Sequence, residues 1–199
     1  MKISLAALLL LTATSAALGF DGRTQGIIDH YKPGKLIRIA DVGHLMGASE
    51  RWCYREEAGT CDWSDIYLDV GKSQAEFEIG NAWNEDIDIA FTDRGTFRDG
   101  RYICETGMDW VPSVRATRRS DGSVIGGREL AQLKAEILSR RDQDTQDCFD
   151  YLFVSADAEN QTVTLTQRQY VDDTHDASRD AEVTIHFDQA AAQALTYRW

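Results

Sequence analysis

Cys148-Phe149-Asp150-Tyr151-Leu152-Phe153-Val154, then Ala156-Asp157-Ala158-Glu159-Asn160-Gln161, then Thr162-Val163-Thr164-Leu165-Thr166 running on to Val171, reads as one β-hairpin. The first arm is rich in aromatic and β-branched residues, which fit a pleated, half-buried surface. The middle supplies turn chemistry, because Asp and Asn side chains bond their own backbone and tolerate left-handed dihedrals. The second arm alternates a small hydroxyl with an aliphatic residue at period two, the mark of a strand with one wet and one dry face.

Other segments repeat that period. Ala75-Glu76-Phe77-Glu78-Ile79 places Phe77 and Ile79 inward and both glutamates outward. Asp86 to Phe91 does the same with Ile87, Ile89 and Phe91, and Glu182 to Phe187 with Val183, Ile185 and Phe187. Ile66 to Val70 is a further short strand, and Leu36 to Val42, after the turn signal Lys32-Pro33-Gly34, is read as another. Asp99-Gly100, leading into Arg101-Tyr102-Ile103-Cys104, is a hairpin tip, since a type I′ turn needs two positive φ angles. Asp121-Gly122 is a second tip, between Val111 to Arg118 and Ser123-Val124-Ile125. Asp21 to His30 shows no persuasive period and is left irregular, and Gly43, Gly47 and Gly59 are read as breaking the following stretch into loop.

One segment has a helical stripe. Between Arg128 and Arg141, Leu130, Leu133 and Ile137 recur on one face, widened by Ala131, Ala135 and Leu138, with Arg140-Arg141 at the favourable end of the helix dipole. Ala190 to Leu195 predicts a short terminal helix. Strands at short intervals, tight turns and one amphipathic helix predict an α+β domain, predominantly an antiparallel β-sheet, in its leading variant a small barrel, with the helix packed on it.

Address is legible at the N-terminus. Met1-Lys2-Ile3-Ser4 opens an apolar run too short to span a bilayer, and the run ends in Ala16-Ala17-Leu18-Gly19. A basic start, an apolar centre and small residues at the end predict a signal peptide over 1–19, leaving 20–199 as a single domain that begins at Phe20. Phe20 cannot carry the thioether of a lipid anchor, so the expectation is a soluble periplasmic or secreted protein. The net charge is −12, and loss of the leader removes Lys2 and no acid, leaving −13. Such a chain repels nucleic acid and anionic lipid, so neither nucleic-acid binding nor membrane insertion after cleavage is expected.

Cys53, Cys61, Cys104 and Cys148 meet an oxidising milieu on export. Cys53 with Cys61 closes the obvious short loop, with Gly59 allowing the return, which leaves Cys104 with Cys148. On the chain-entropy account the bridges contribute about 2.6 and about 4 kcal/mol. Zinc is disfavoured, because the sequence has no Cys-x-x-Cys pair.

Function is less legible. The chain lacks a Gly-x-Ser-x-Gly elbow, a His-Glu-x-x-His run, a phosphate-binding loop and a dinucleotide fingerprint, so no reaction class is indicated. Trp52, Tyr54 and Trp63 bracket the short cysteine loop, and rings held by a disulfide suit a sugar face or a partner peptide. Arg115, Arg118 and Arg119 offer guanidinium groups to an anion or an acidic partner. Asp172, Asp173, Asp176 and Asp180 gather carboxylate oxygens around the His175 imidazole in one loop, and such oxygens suit calcium, the one cofactor the sequence raises, although the twelve-residue calcium-loop pattern fails at Ala177. His30, His44, His175 and His186 show no evident partners, and Asn160-Gln161-Thr162 forms a glycosylation sequon at the central hairpin tip. The reading is an exported, non-catalytic binding module with a protein or carbohydrate partner. The alternative is an extracytoplasmic hydrolase using carboxylates in a cleft.

Overall fold

A computed structural model of the chain describes residues 19–140 and 146–199. The leader expected over 1–19 lies outside the described residues except for Gly19, as does Arg141 at the end of the expected helix. Among the described residues, eight antiparallel strands close into a barrel: β1 (Arg51–Tyr54), β2 (Trp63–Val70), β3 (Gln74–Ala82), β4 (Ile87–Arg98), β5 (Tyr102–Thr106), β6 (Gln146–Asp157), β7 (Thr162–Val171) and β8 (Ala181–His186). Each strand pairs with the next in sequence, and β8 returns to β1 with Trp52 opposite Ile185. Closure leaves the barrel strands no open edge between them, which removes a template for aggregation.

The hairpin of β6 and β7 stands as expected. Asp157 Oδ1 accepts from the backbone N–H groups of Glu159 and Asn160, and Gln161 takes the left-handed conformation at φ 50°. At the β4–β5 tip Asp99 and Gly100 both have positive φ, and Arg101 N donates to Arg98 O at 3.0 Å to close the turn. Outward positions carry charge: Glu76 on β3 faces Arg94 on β4 at 2.8 Å, and Arg115 pairs with Glu78. A lipid-facing barrel would need an apolar band at such positions. Among the described residues no helix is long and apolar enough to cross a membrane.

One end of the barrel is plugged by helices, where the structure corrects the expected strand at Leu36–Val42. Leu36 makes only an isolated bridge to Leu152, and Ile39–Ala48 is a helix, α2, following α1 at Gly22–His30. Ile39, Val42, Leu45 and Met46 recur at helical spacing and are all buried. The two glycines read as breakers lie inside α2: a Cβ on Gly43 would stand 3.4 Å from Phe97, and one on Gly47 3.8 Å from Val70. Both are ordinary van der Waals distances, so burial of the apolar face, more than any need for glycine, holds this helix in place. The segment left irregular at Asp21–His30 is likewise helical, capped by Asp21, whose carboxylate accepts from Arg23 N and Thr24 N. Together with Ile27 and Ile37, this plug completes a core formed by Trp52, Phe77, Ile103, Phe153, Val163, Leu165, Val183 and Ile185 inside the barrel.

The opposite end bears an annex. The first residues of β4 extend beyond the barrel wall and pair with Arg115–Arg118, which pairs in turn with Val124–Ile125. The expected strand start at Val111 is instead a short 3₁₀ turn, Val111–Ser113. Helix α3 (Gly127–Arg140) lays Leu133 and Ile137 against Trp110, Val114, Ala116 and Ile125, giving a second small core. The expected helix is thus in place, and it packs mainly on the annex.

Both expected disulfides are present. Cys53–Cys61 ties β1 to a two-residue strand, Thr60–Cys61, that pairs in parallel with Thr196–Tyr197, so it secures the C-terminus after α4 (Gln189–Ala194). Cys104–Cys148 joins register partners on β5 and β6. Two formed bridges are the state an oxidising, extracytoplasmic compartment produces.

Candidate functional site

The end of the barrel away from the plug holds a cavity of about 530 Å³. That volume lies in the range of small-molecule sites, and eight-stranded barrels are just wide enough to hold one small ligand. Its deepest lining residues come from β1, β2 and β7. Tyr54 Oη donates to Asp65 Oδ2 at 2.7 Å, and Gln167 Nε2 donates to Tyr54 Oη at 3.3 Å and to Tyr151 Oη at 3.1 Å. Aromatic rings form much of the wall: Trp63 stacks on Tyr54 with centroids 4.7 Å apart, Phe91 stacks on Trp110 at 4.0 Å, and Trp83 and Phe149 complete it. At the mouth Gln169 Nε2 donates to Asp147 at 2.9 Å, and α3 contributes Ile137 and Arg140, whose guanidinium lies 5.0 Å from the Trp83 centroid.

Carboxylates point inward from four strands: Asp65 on β2, Asp93 on β4, Glu105 on β5 and Asp147 on β6. Asp65 is only 6% exposed, and its Oδ1 has no hydrogen-bond partner among the described residues. Burial pushes the Asp65 carboxyl up to about 7, the neighbouring charge of Asp93 adds to the rise, and the Tyr54 hydrogen bond opposes it. Burial likewise lifts the Tyr54 and Tyr67 hydroxyls well above the usual phenol range, with Asp65 contributing to both. Glu105 and Asp147 stand directly opposite each other across β5 and β6, an arrangement of like charges that opposes pairing. Such a site can desolvate a small molecule, stack its flat or apolar part and offer anionic acceptors to its polar part.

The residues singled out by sequence are only partly gathered here. Tyr54 and Trp63 line the cavity at the open end of the barrel. Trp52 departs from the expected contact surface: it is fully buried in the barrel core, edge-on to Tyr67 and Tyr151, with Nε1 donating to Ser49 Oγ at 2.8 Å. The three arginines have internal partners. Arg115 pairs with Glu78, Arg118 binds both oxygens of Glu129, and Arg119 donates to Tyr197 O at 2.7 Å while lying 3.3 Å from Asp88. The structure gives Asp172, Asp173 and Asp176 separate tasks: Asp172 accepts from Gln146 N, Asp173 pairs with Arg98, and Asp176 caps the turn at Ala177–Arg179. Among the described residues no three His, Cys, Asp or Glu side chains form a metal-holding group.

Three of the four histidines do have partners, contrary to the sequence reading. His44 bonds Thr24 Oγ1 at 3.1 Å, His175 bonds Asp180, and His186 bonds Glu56 at 2.8 Å across 130 residues of chain. The four cavity carboxylates were not singled out by sequence, yet they leave a signal there. Asp65 is in phase with Trp63 and Tyr67, Asp93 with Ile89 and Phe91, Glu105 with Ile103, and Asp147 with Phe149 and Tyr151. A charged residue in phase with the inward face of a strand is an error of packing unless it serves a function. Comparison with known protein families, curated proteins and solved structures finds no match to this chain.

Proposed function

We propose that the protein is an exported, periplasmic or secreted binding protein that holds a small ligand, without chemistry, in the open end of its barrel. The observation that carries this reading is the set of inward carboxylates among aromatic rings, where a barrel built only for stability would place aliphatic side chains. Leaving charges in a half-enclosed cavity costs stability, and a ligand that compensates them gives that cost a purpose. Export is supported by the two disulfides and by the leader-like N-terminus. Phe20, the residue that would follow cleavage, packs edge-on against Phe187 at 5.2 Å.

A small-molecule library screened by thermal melting tests the reading. Stabilising compounds should lose their effect when Gln169→Trp fills the mouth. A screen in which no compound depends on the mouth would refute it.

One observation favours a second reading, a hydrolase. A carboxyl raised to about 7 beside a second carboxylate is the arrangement of a general acid and its partner. Turnover of a glycoside panel that disappears in Asp65→Asn would establish catalysis, whereas ligand binding with no turnover supports the non-catalytic reading.

A further inference from the structure

We propose that the ligand is an organic amine, a protonated primary or secondary nitrogen carried on a flat or apolar body, with the N–H group directed at Asp65 Oδ1. This rests on the binding reading above and names its ligand class.

Charge comes first. Among the described residues that line the cavity, Asp62, Asp65, Asp93, Glu105 and Asp147 are acidic and Arg140 alone is basic. Asp62 is matched by Arg198 at 2.8 Å and by Arg55 at 3.6 Å, so it adds little to the field inside. Asp65 on β2 and Asp147 on β6 face the enclosed volume with no cation paired to either among the described residues, and its low-dielectric walls strengthen their attraction for a cation.

Hydrogen bonding then selects the kind of cation. Tyr54 Oη occupies Asp65 Oδ2, while Oδ1 of the same buried carboxylate has no donor among the described residues. An orphaned buried acceptor costs free energy that a donor recovers. An ammonium N–H supplies donor and charge together; a quaternary nitrogen supplies charge only, and a sugar hydroxyl supplies a donor but leaves the carboxylate charge uncompensated. An anion is repelled.

The rings fit the remainder of such a ligand. Trp63, Trp83, Phe91 and Trp110 give the cavity an aromatic wall; Trp63 stacks on Tyr54 and Phe91 on Trp110, while Trp83 receives the guanidinium of Arg140 on its face at 5.0 Å. Arg140 is itself largely exposed and held from the helix by Glu136, so it can swing away. It acts as a resident cation on a surface the ligand would share.

Isothermal titration of the full mature chain at pH 8 with tryptamine, the neutral tryptophol and the anionic indole-3-acetate tests the inference, because the three share one ring system. Tryptamine should bind about tenfold or more tighter than tryptophol, and indole-3-acetate should bind weakest. Asp65→Asn, which keeps an acceptor for Tyr54 but removes the charge, should bring tryptamine down to the tryptophol level. Arg140→Ala, which removes the competing cation, should raise tryptamine affinity about threefold. Equal binding of amine and alcohol, an unchanged tryptamine affinity in Asp65→Asn, or a fall in Arg140→Ala overturns the amine assignment while the binding site itself stands. Failure of all three indoles to bind overturns both.

Discussion

The Tyr54 hydroxyl donates to Asp65 Oδ2 at 2.7 Å, and in doing so joins the apolar lower half of the barrel to the polar cavity above it. Tyr54 is fully buried and also receives the Gln167 amide, so one phenol organises three side chains from three strands. Tyr54→Phe removes the donor and leaves Asp65 with neither oxygen bonded. The expected outcome is a loss of about 1–3 kcal/mol in urea unfolding and an Asp65 titration midpoint above its present value of about 7, read by carbonyl infrared spectroscopy or NMR. A midpoint that falls on removing the phenol would contradict the assigned hydrogen bond.

The same carboxyl makes stability depend on pH in an identifiable window. Its folded value of about 7 lies above the ordinary 3.8 expected of the unfolded chain. Between those values the folded chain retains a proton that the unfolded chain has released, so raising the pH favours unfolding. The contribution is fully present below about pH 4, is lost as pH rises toward 7, and amounts at most to something on the order of 4 kcal/mol. Exposed carboxylates such as Asp21 and Asp157, held below the usual range by hydrogen bonds, act in the opposite direction as pH falls. The comparison of wild type with Asp65→Asn isolates the buried group: their stabilities should converge toward pH 4, with the variant the more stable at pH 8. Parallel curves across that range would remove the claim.

A second buried acid lies on the barrel's outer face. Asp150 is fully buried yet accepts from Arg168 Nε and Nη2 at 2.7 Å each, from Arg101 Nε at 2.6 Å and from the Tyr170 hydroxyl at 3.2 Å. Two guanidinium groups converge on one carboxylate, and both come to depend on it. Asp150→Ala should cost about 3–5 kcal/mol in thermal or urea unfolding, because it strands two partly buried cations. Restoring most of that loss by a simultaneous Arg168→Leu would show that the stranded charge, more than the vanished bonds, carries the cost. A loss under 1 kcal/mol in the single variant would mean that the network contributes no more than a surface pair.

The period-two strands made most of the barrel legible: the alternation at Ala75–Ile79, Ile87–Phe91 and Glu182–Phe187 places the same residues inward in the structure. Local pattern does not encode closure, because β1 and β8 meet across more than a hundred residues and that pairing rests on barrel geometry. Helix α2 is hidden by Gly43 and Gly47, which weaken intrinsic helix preference, a loss that burial of Ile39, Val42, Leu45 and Met46 outweighs. The cavity was obscured for a different reason. Reading strands for their apolar members passes over an acid that keeps the same phase, and Asp65, Asp93, Glu105 and Asp147 are all of that kind. The exposed-looking Trp52 fails as a contact because alternation with Cys53 turns it inward, whereas the disulfide lies outside the wall with Leu195.

The two disulfides should differ in what their removal does. Cys53–Cys61 closes a separation of 8 residues and fastens the C-terminal strand, so losing it costs about 2.6 kcal/mol on the chain-entropy account and releases Thr196–Tyr197 first. Cys104–Cys148 closes a separation of 44 and should cost about 4 kcal/mol. It also locks the register that sets Glu105 opposite Asp147 one step along the same seam. Cutting it lets β5 and β6 part under that repulsion, so the Cys104→Ala/Cys148→Ala protein should recover about 0.5–1 kcal/mol when Glu105→Gln is added, while the same change in the intact protein should recover less. Urea unfolding of the four proteins measures the coupling directly. Equal recovery on both backgrounds would show that the bridge and the opposed acids act independently, and a greater loss from opening the short loop would show that the ordering of the two staples is wrong.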